Sequence, residues 1–174
     1  MLESVLELVG PMRCAGCGRR GLALCDRCRG CLRAPENAGT VPKVERVLAA
    51  WHYAGAARDL VLALKLRSAR HAALPLSLGI CSAVCRQGLQ AGVATWVPGR
   101  AVDIKRRGYD HAELLAREVA GRLGLRLEPL LRRVRAQPDQ ASLGADERRR
   151  NLQGVFGARP TDHSVVVIDD VVTT

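Results

Sequence analysis

Cys14, Cys17, Cys25 and Cys28 stand as two C-x-x-C pairs with seven residues between them, in "CAGCGRRGLALCDRC". Each pair can grip one side of a metal ion from a tight knuckle, and four thiolates satisfy a tetrahedral zinc ion. One such pair would also fit a redox motif. Two pairs joined by a short spacer containing Gly and Arg point to structural zinc. Gly16 and Gly18 give the first knuckle backbone freedom. Cys31 continues the spacing and is a spare or substitute ligand. Cys81 and Cys85, four apart in "GICSAVC", are expected in the core of a helix rather than on a metal.

A second group closes the chain. In "SVVVIDDVVTT" an apolar run meets Asp169 and Asp170, followed by Val171, Val172, Thr173 and Thr174. Adjacent carboxylates at a strand end are costly unless they meet cations or hydroxyls. They can accept from sugar hydroxyls or approach Mg²⁺, and the following turn offers amides and hydroxyls to a phosphate. An isolated pair of aspartates would read as an ordinary solvated strand end; the apolar strand before it and the threonines after it favour the binding reading.

These groups need elements to hold them. "VLAAWHY" (47–53) predicts a strand. "AARDLVLALKL" (56–66) predicts a helix with Ala57, Leu60, Val61 and Leu64 on one face. A second helix is expected over 74–89, entered near Pro75, where proline is tolerated in a first turn. A short strand over 93–98 is stopped by Pro98. The clearest helix is 110–124: Asp110 and Glu113 have capping-box spacing, Ala112, Leu115, Val119 and Leu123 form its stripe, and Gly124 suits its C-terminal cap. His111 is expected to be a surface or capping residue. Strands are also expected over 125–131 and 164–168, the last a central parallel strand covered on both faces. Strands alternating with helices give an α/β class with an open, mostly parallel sheet, whose ligands bind beyond the carboxyl ends of its strands. "APENAGTVPK" (34–43) reads as a linker, dividing the chain into an N-terminal helix and zinc ribbon (1–33), a linker (34–45) and the α/β body (46–174).

The 174 residues carry a net charge of +10. Residues 13–33 hold six arginines against Asp26; a zinc ion on four thiolates would bring that segment to about +3. Such patches favour a polyanionic partner, with solvated faces as the plain alternative. No run is long enough to span a membrane. The start, "MLESVLELVG", has no basic segment ahead of its apolar residues and reads as a short amphipathic helix with Leu2, Val5, Leu6 and Val9 on one face. A cytoplasmic protein with reduced thiols is expected.

Taken together, the chain resembles the ComF family, the zinc-ribbon-bearing branch of type I phosphoribosyltransferases. The resemblance rests on "RCAGCGRRGLALCDRC", "WHYAGAARDLVLALKLR", "WVPGRAVDIKRRGYDHAELLAREVAGRLG", "QASLGADERRRNLQGVF" and "VVVIDDVVTT", in that order. It implies a phosphoribosyltransferase-like sheet binding phosphoribosyl pyrophosphate (PRPP) with Mg²⁺. Asp169 and Asp170 would contact the ribose hydroxyls, and Thr173 and Thr174 would start the 5′-phosphate loop. Lys65 would lie near the pyrophosphate. Arg106, Arg107, Gly108, Tyr109 and Asp110 would belong to a mobile loop. The family's link to natural competence adds single-stranded DNA and competence proteins as expected partners, against which stands the small number of aromatic platforms: Trp51, Tyr53, Trp96, Tyr109 and Phe156. Where the family often has Phe-Asn-Gln, this chain has Tyr109-Asp110-His111. The family signature also continues past Thr174, so the resemblance implies a shortened chain, with transferase activity expected of a longer parent and a non-catalytic scaffold as the alternative.

Overall fold

The computed structural model describes residues 12–135 and 154–172. The chain forms two compact units, Met1–Gly88 with Val171–Thr174, and Leu89–Asp170. The expected N-terminal helix, Thr173 and Thr174 fall outside the described residues.

In the first unit, α1 (Asp26–Gly30) follows the cysteine knuckle, and α2 (Gly55–Leu66) and α3 (Ala73–Arg86) are joined through a 3₁₀ turn, Arg70–Ala72. The expected face of α2 is the buried one: Ala57, Leu60, Val61 and Leu64 are all in the core, with Ala63. Burial of each such leucine contributes roughly 1.5–3 kcal/mol relative to exposure. Pro75 sits in the first turn of α3 as expected. Cys81 is half-buried and Cys85 is exposed on α3, so neither is a core residue.

Residues 47–53 form no strand. The ring of Trp51 instead lies on α3 at Gly79, where an added Cβ would come within 2.3 Å of the indole, and the segment's β propensity finds no pairing strand among the described residues.

In the second unit, β1 (Val93–Trp96) is the middle strand of a parallel three-stranded sheet ordered β2-β1-β5, with β2 (Arg126–Leu127) and β5 (Val165–Ile168) at its sides. Val93 pairs with Arg126 on one side and with Val165 on the other. Between β1 and β2 the chain makes α4 (Ala101–Arg107) and α5 (His111–Leu123). A separate antiparallel pair joins β3 (Leu131–Arg133) to β4 (Phe156–Ala158), so the single strand expected over 125–131 is two short ones. The buried Thr95 hydroxyl accepts from the Leu130 N–H between them at 3.2 Å.

Helix α5 forms as its sequence predicts. Ala112, Leu115 and Val119 are buried, with Ala116 and Ala120, and Gly124 caps the end in the left-handed conformation, φ 67°. The helix packs on all three strands of the parallel sheet. Its capping differs from the expected reciprocal box: Asp110 caps the N-terminus through Ala112, whereas Glu113 pairs with Arg117 at 2.6 Å. β5 also differs. It is an edge strand, and Val165 and Val167 are exposed, so one of its faces is uncovered among the described residues.

Candidate functional site

The four cysteines converge. Their sulfur atoms all lie within 4.8 Å of one another, and Cys17 Sγ is 3.7 Å from Cys25 Sγ. A tetrahedron with Zn–S bonds of about 2.3 Å has edges of about 3.8 Å, so the donor set fits a tetrahedral metal such as zinc. The first knuckle is closed by a bridge between Arg13 and Arg20. Gly18 has φ +75°, while Gly16 is needed for space: a Cβ there would stand 3.0 Å from Cys28 Sγ. The second pair sits at the start of α1, with Cys25 at its N-cap and Cys28 buried within it. Cys31 caps the other end, exposed and outside the cluster.

The thiols are electrically inequivalent. Burial pushes the Cys14 thiol up, but the backbone N–H groups of Cys25, Cys17 and Gly16 outweigh it and bring it down to about 6. Burial pushes Cys28 up, and the three neighbouring sulfurs add to that. The backbone donors favour the thiolate form at Cys14, whereas burial at Cys28 disfavours it unless a cation stands beside it. Metal binding here would release protons.

The second site lies at the carboxyl ends of β1 and β5. The chain leaves β1 toward β2 on one side, while β5 flanks β1 on the other. This is a point at which strand order reverses, and α/β sheets open a ligand crevice there. Asp169 is exposed just past β5, and its Oδ1 accepts from the Asp170 N–H at 2.8 Å. The Asp170 side chain is only 3% exposed, and its Oδ2 lies 3.3 Å from His111 Nε2.

From β1, the segment Pro98–Arg100 is held by two charged side chains. Asp110 Oδ2 accepts from the Gly99 N–H at 2.8 Å, and its Oδ1 accepts from Ala112 N–H at 3.0 Å. One carboxylate thus pins the β1 exit to the start of α5. Arg133 Nε donates to the Pro98 carbonyl at 2.8 Å, while its guanidinium stacks on Phe156, 4.8 Å from the ring centre. Burial holds Arg133 below the usual arginine range; Arg100 adds to that, and Asp110, Asp103 and Asp169 oppose it. Arg133 thus shares the field of Asp169.

Arg106 and Arg107 are not in a loop: they form the last turn of α4, and Gly108 follows in the left-handed conformation, φ 82°. An arginine-rich last turn ending on glycine is a helix C-terminus, with cations against the negative end of the dipole. Arg106 is exposed and donates to Asp103 Oδ1 at 3.2 Å. Arg107 turns to His111, its Nη1 lying 2.8 Å from Nδ1, and packs over the Tyr109 ring at 5.8 Å. His111 is neither a surface residue nor the cap; its side chain is 12% exposed.

Asp169, Asp170, Arg107 and Asp110 are thus in one unit, with Arg100, Asp103, His111 and Arg133, which sequence reasoning did not select for the site. Arg100 and Asp103 follow directly on a strand ending in proline, a position the parallel-sheet rule does mark. Arg133 is placed by the β3–β4 pairing, for which no local signal exists. Lys65 lies near the end of α2 in the other unit.

Over 75 residues the chain is 33% identical to "Competence protein F" of Haemophilus influenzae, a match covering 40% of this chain and 33% of that protein. The chain thus matches about a third of its relative's length, and the likeness supports a ComF-like, competence-related character. No protein-family model and no solved structure matches the chain.

Proposed function

We propose that the second unit is the sugar-binding part of a phosphoribosyltransferase-like protein, and that it binds PRPP with Mg²⁺ at the carboxyl ends of β1 and β5. The observation that carries this reading is the position of Asp169 and Asp170 at the strand-order reversal, with arginines 100, 107 and 133 in the same unit. Asp169 offers an exposed carboxylate to ribose hydroxyls. Asp169 and Asp170 are hard oxygen donors of the kind Mg²⁺ accepts together with phosphate oxygens, and when bound the ion would neutralise pyrophosphate charge. In transfer, an acceptor nucleophile would form a bond to the ribose anomeric carbon as the bond to pyrophosphate breaks. In that reading the aspartates would offset the positive charge that develops on the ribose, and the arginines the negative charge that develops on the leaving group.

The test is calorimetric titration of the full-length gene product with PRPP in the presence of Mg²⁺. Saturable binding that Asp169→Asn abolishes is expected. No binding, or binding indifferent to Asp169→Asn and Asp170→Asn alike, would overturn the reading.

A second reading concerns the metal knuckle. Arg13, Arg19, Arg20, Arg27, Arg29 and Arg33 are all exposed around it, which favours a weak, electrostatic contact with single-stranded DNA in a competence setting. Such binding falls steeply with salt, and salt-insensitive binding would count against it.

A further inference from the structure

We infer that His111 is a positioning residue for Asp170, held as the Nε2–H tautomer by Arg107. A guanidinium has five N–H donors and no acceptor. The 2.8 Å approach of Arg107 Nη1 to His111 Nδ1 therefore assigns the lone pair to Nδ1 and the ring proton to Nε2. That nitrogen lies 3.3 Å from Asp170 Oδ2, a buried oxygen that makes no hydrogen bond among the described residues, so the contact is close and polar but falls short of hydrogen-bond geometry. Asp110 Oδ1 is 3.8 Å from Nδ1, beyond hydrogen-bond distance, and accepts from the Ala112 N–H instead.

The arrangement has a direction. Arg107 sits at the end of α4, where Gly108 turns the chain so that His111 becomes the first residue of α5. The imidazole dipole, polarised by the guanidinium, presents its positive end to a carboxylate that is 3% exposed. A buried carboxylate oxygen without a hydrogen bond is costly, and a polar neighbour at this distance reduces that cost. Arg107 is itself held by Tyr109, so the chain of contacts runs from that ring to Asp170. Asp169 is then the carboxylate that meets ligand first, and Asp170 is the one the protein holds. The consequence for ligand binding rests on the sugar-binding reading above; the tautomer does not.

Proton–nitrogen NMR of the imidazole rings in the full chain, at about pH 8 and so above the ordinary histidine range, tests the first part. His111 is expected with Nδ1 unprotonated and Nε2 protonated. Arg107→Met should raise the Nδ1–H population, and Asp170→Asn should shift the Nε2 resonance. A predominant Nδ1–H form in the unaltered protein, or resonances that respond to neither change, overturns the inference. PRPP calorimetry tests the second part. His111→Phe should weaken binding about tenfold, the low end for groups that orient a ligating residue, and His111→Gln, which keeps an N–H donor, should restore most of it. Equal affinity in His111→Phe and the unaltered protein overturns the positioning role. Absence of PRPP binding in every form, with the NMR result as expected, would sink the sugar-binding reading and leave the tautomer and its contact with Asp170 standing.

Discussion

His111 Nε2 lies 3.3 Å from Asp170 Oδ2, joining the first turn of α5 to the end of β5. The contact fixes the relation between the helix that follows the β1 exit and the strand end that carries both aspartates. Its supports yield separate predictions.

Asp110 is the first support, because one carboxylate serves two backbone donors, Gly99 and Ala112. Asp110→Ala should cost about 1–2 kcal/mol, in the range of a lost helix cap, and Asp110→Asn less, since its amide retains an acceptor. Chemical denaturation of both variants checks this; equal stability of the alanine variant and the parent would show that the cap contributes nothing.

The pair Arg100–Asp103 should give a pH signature. Arg100 Nε donates to Asp103 Oδ2 at 2.6 Å, and that bond holds the Asp103 carboxyl below its ordinary value of 3.8. A carboxyl whose pKa is depressed on folding stabilises the fold above its unfolded value and loses that contribution as pH falls through the folded one. The parent should therefore exceed Asp103→Asn by about 0.2–1 kcal/mol at neutral pH, and the gap should close as the pH drops below the ordinary carboxylate range. Melting curves from neutral to acid pH read this directly, and a gap that widens in acid would contradict it.

Gly79 is required by Trp51. Gly79→Ala would put a methyl group 2.3 Å from the indole, so either the ring or the helix must shift, at about 1–3 kcal/mol. If thermal unfolding shows the alanine variant as stable as the parent, the ring does not rest where described.

Metal removal should unmake the knuckle. One equivalent of zinc per chain is expected by elemental analysis, lost in Cys14→Ser and Cys28→Ser and kept in Cys31→Ser, whose exposed side chain lies outside the cluster. Chelation should lower the melting temperature of the first unit, because a segment this small has little else to hold it. Zinc retained in Cys28→Ser would point to a different ligand set.

Local information was enough for much of this protein. The cysteine spacing pointed to the four-sulfur cluster, since each C-x-x-C turn brings its own two sulfurs together and only the short spacer has to bring the pairs side by side. Helices α2 and α5 were readable because their stripes recur at helical spacing and α5 carries its own stop and start, Asp110 and Gly124. The apolar run before Asp169 announced β5, and with it the strand end where the aspartates sit.

What the chain could not state locally was decided by pairing across it. Residues 47–53 have strand propensity, yet Trp51 is spent on Gly79. Arg106 and Arg107 look like neighbours in a basic loop, yet the last turn of α4 sends one to Asp103 in solvent and the other inward to His111. Arg133 reaches the β1 exit because β3 pairs with β4, which returns from beyond residue 153. His111 meets Asp170 only because β5 lies beside β1 in the sheet on which α5 packs. Helical periodicity and metal-ligand spacing act over a few residues and are written in sequence. The direction a charged side chain takes is set by which counter-charge the tertiary fold brings within reach, and that is fixed only when distant strands register.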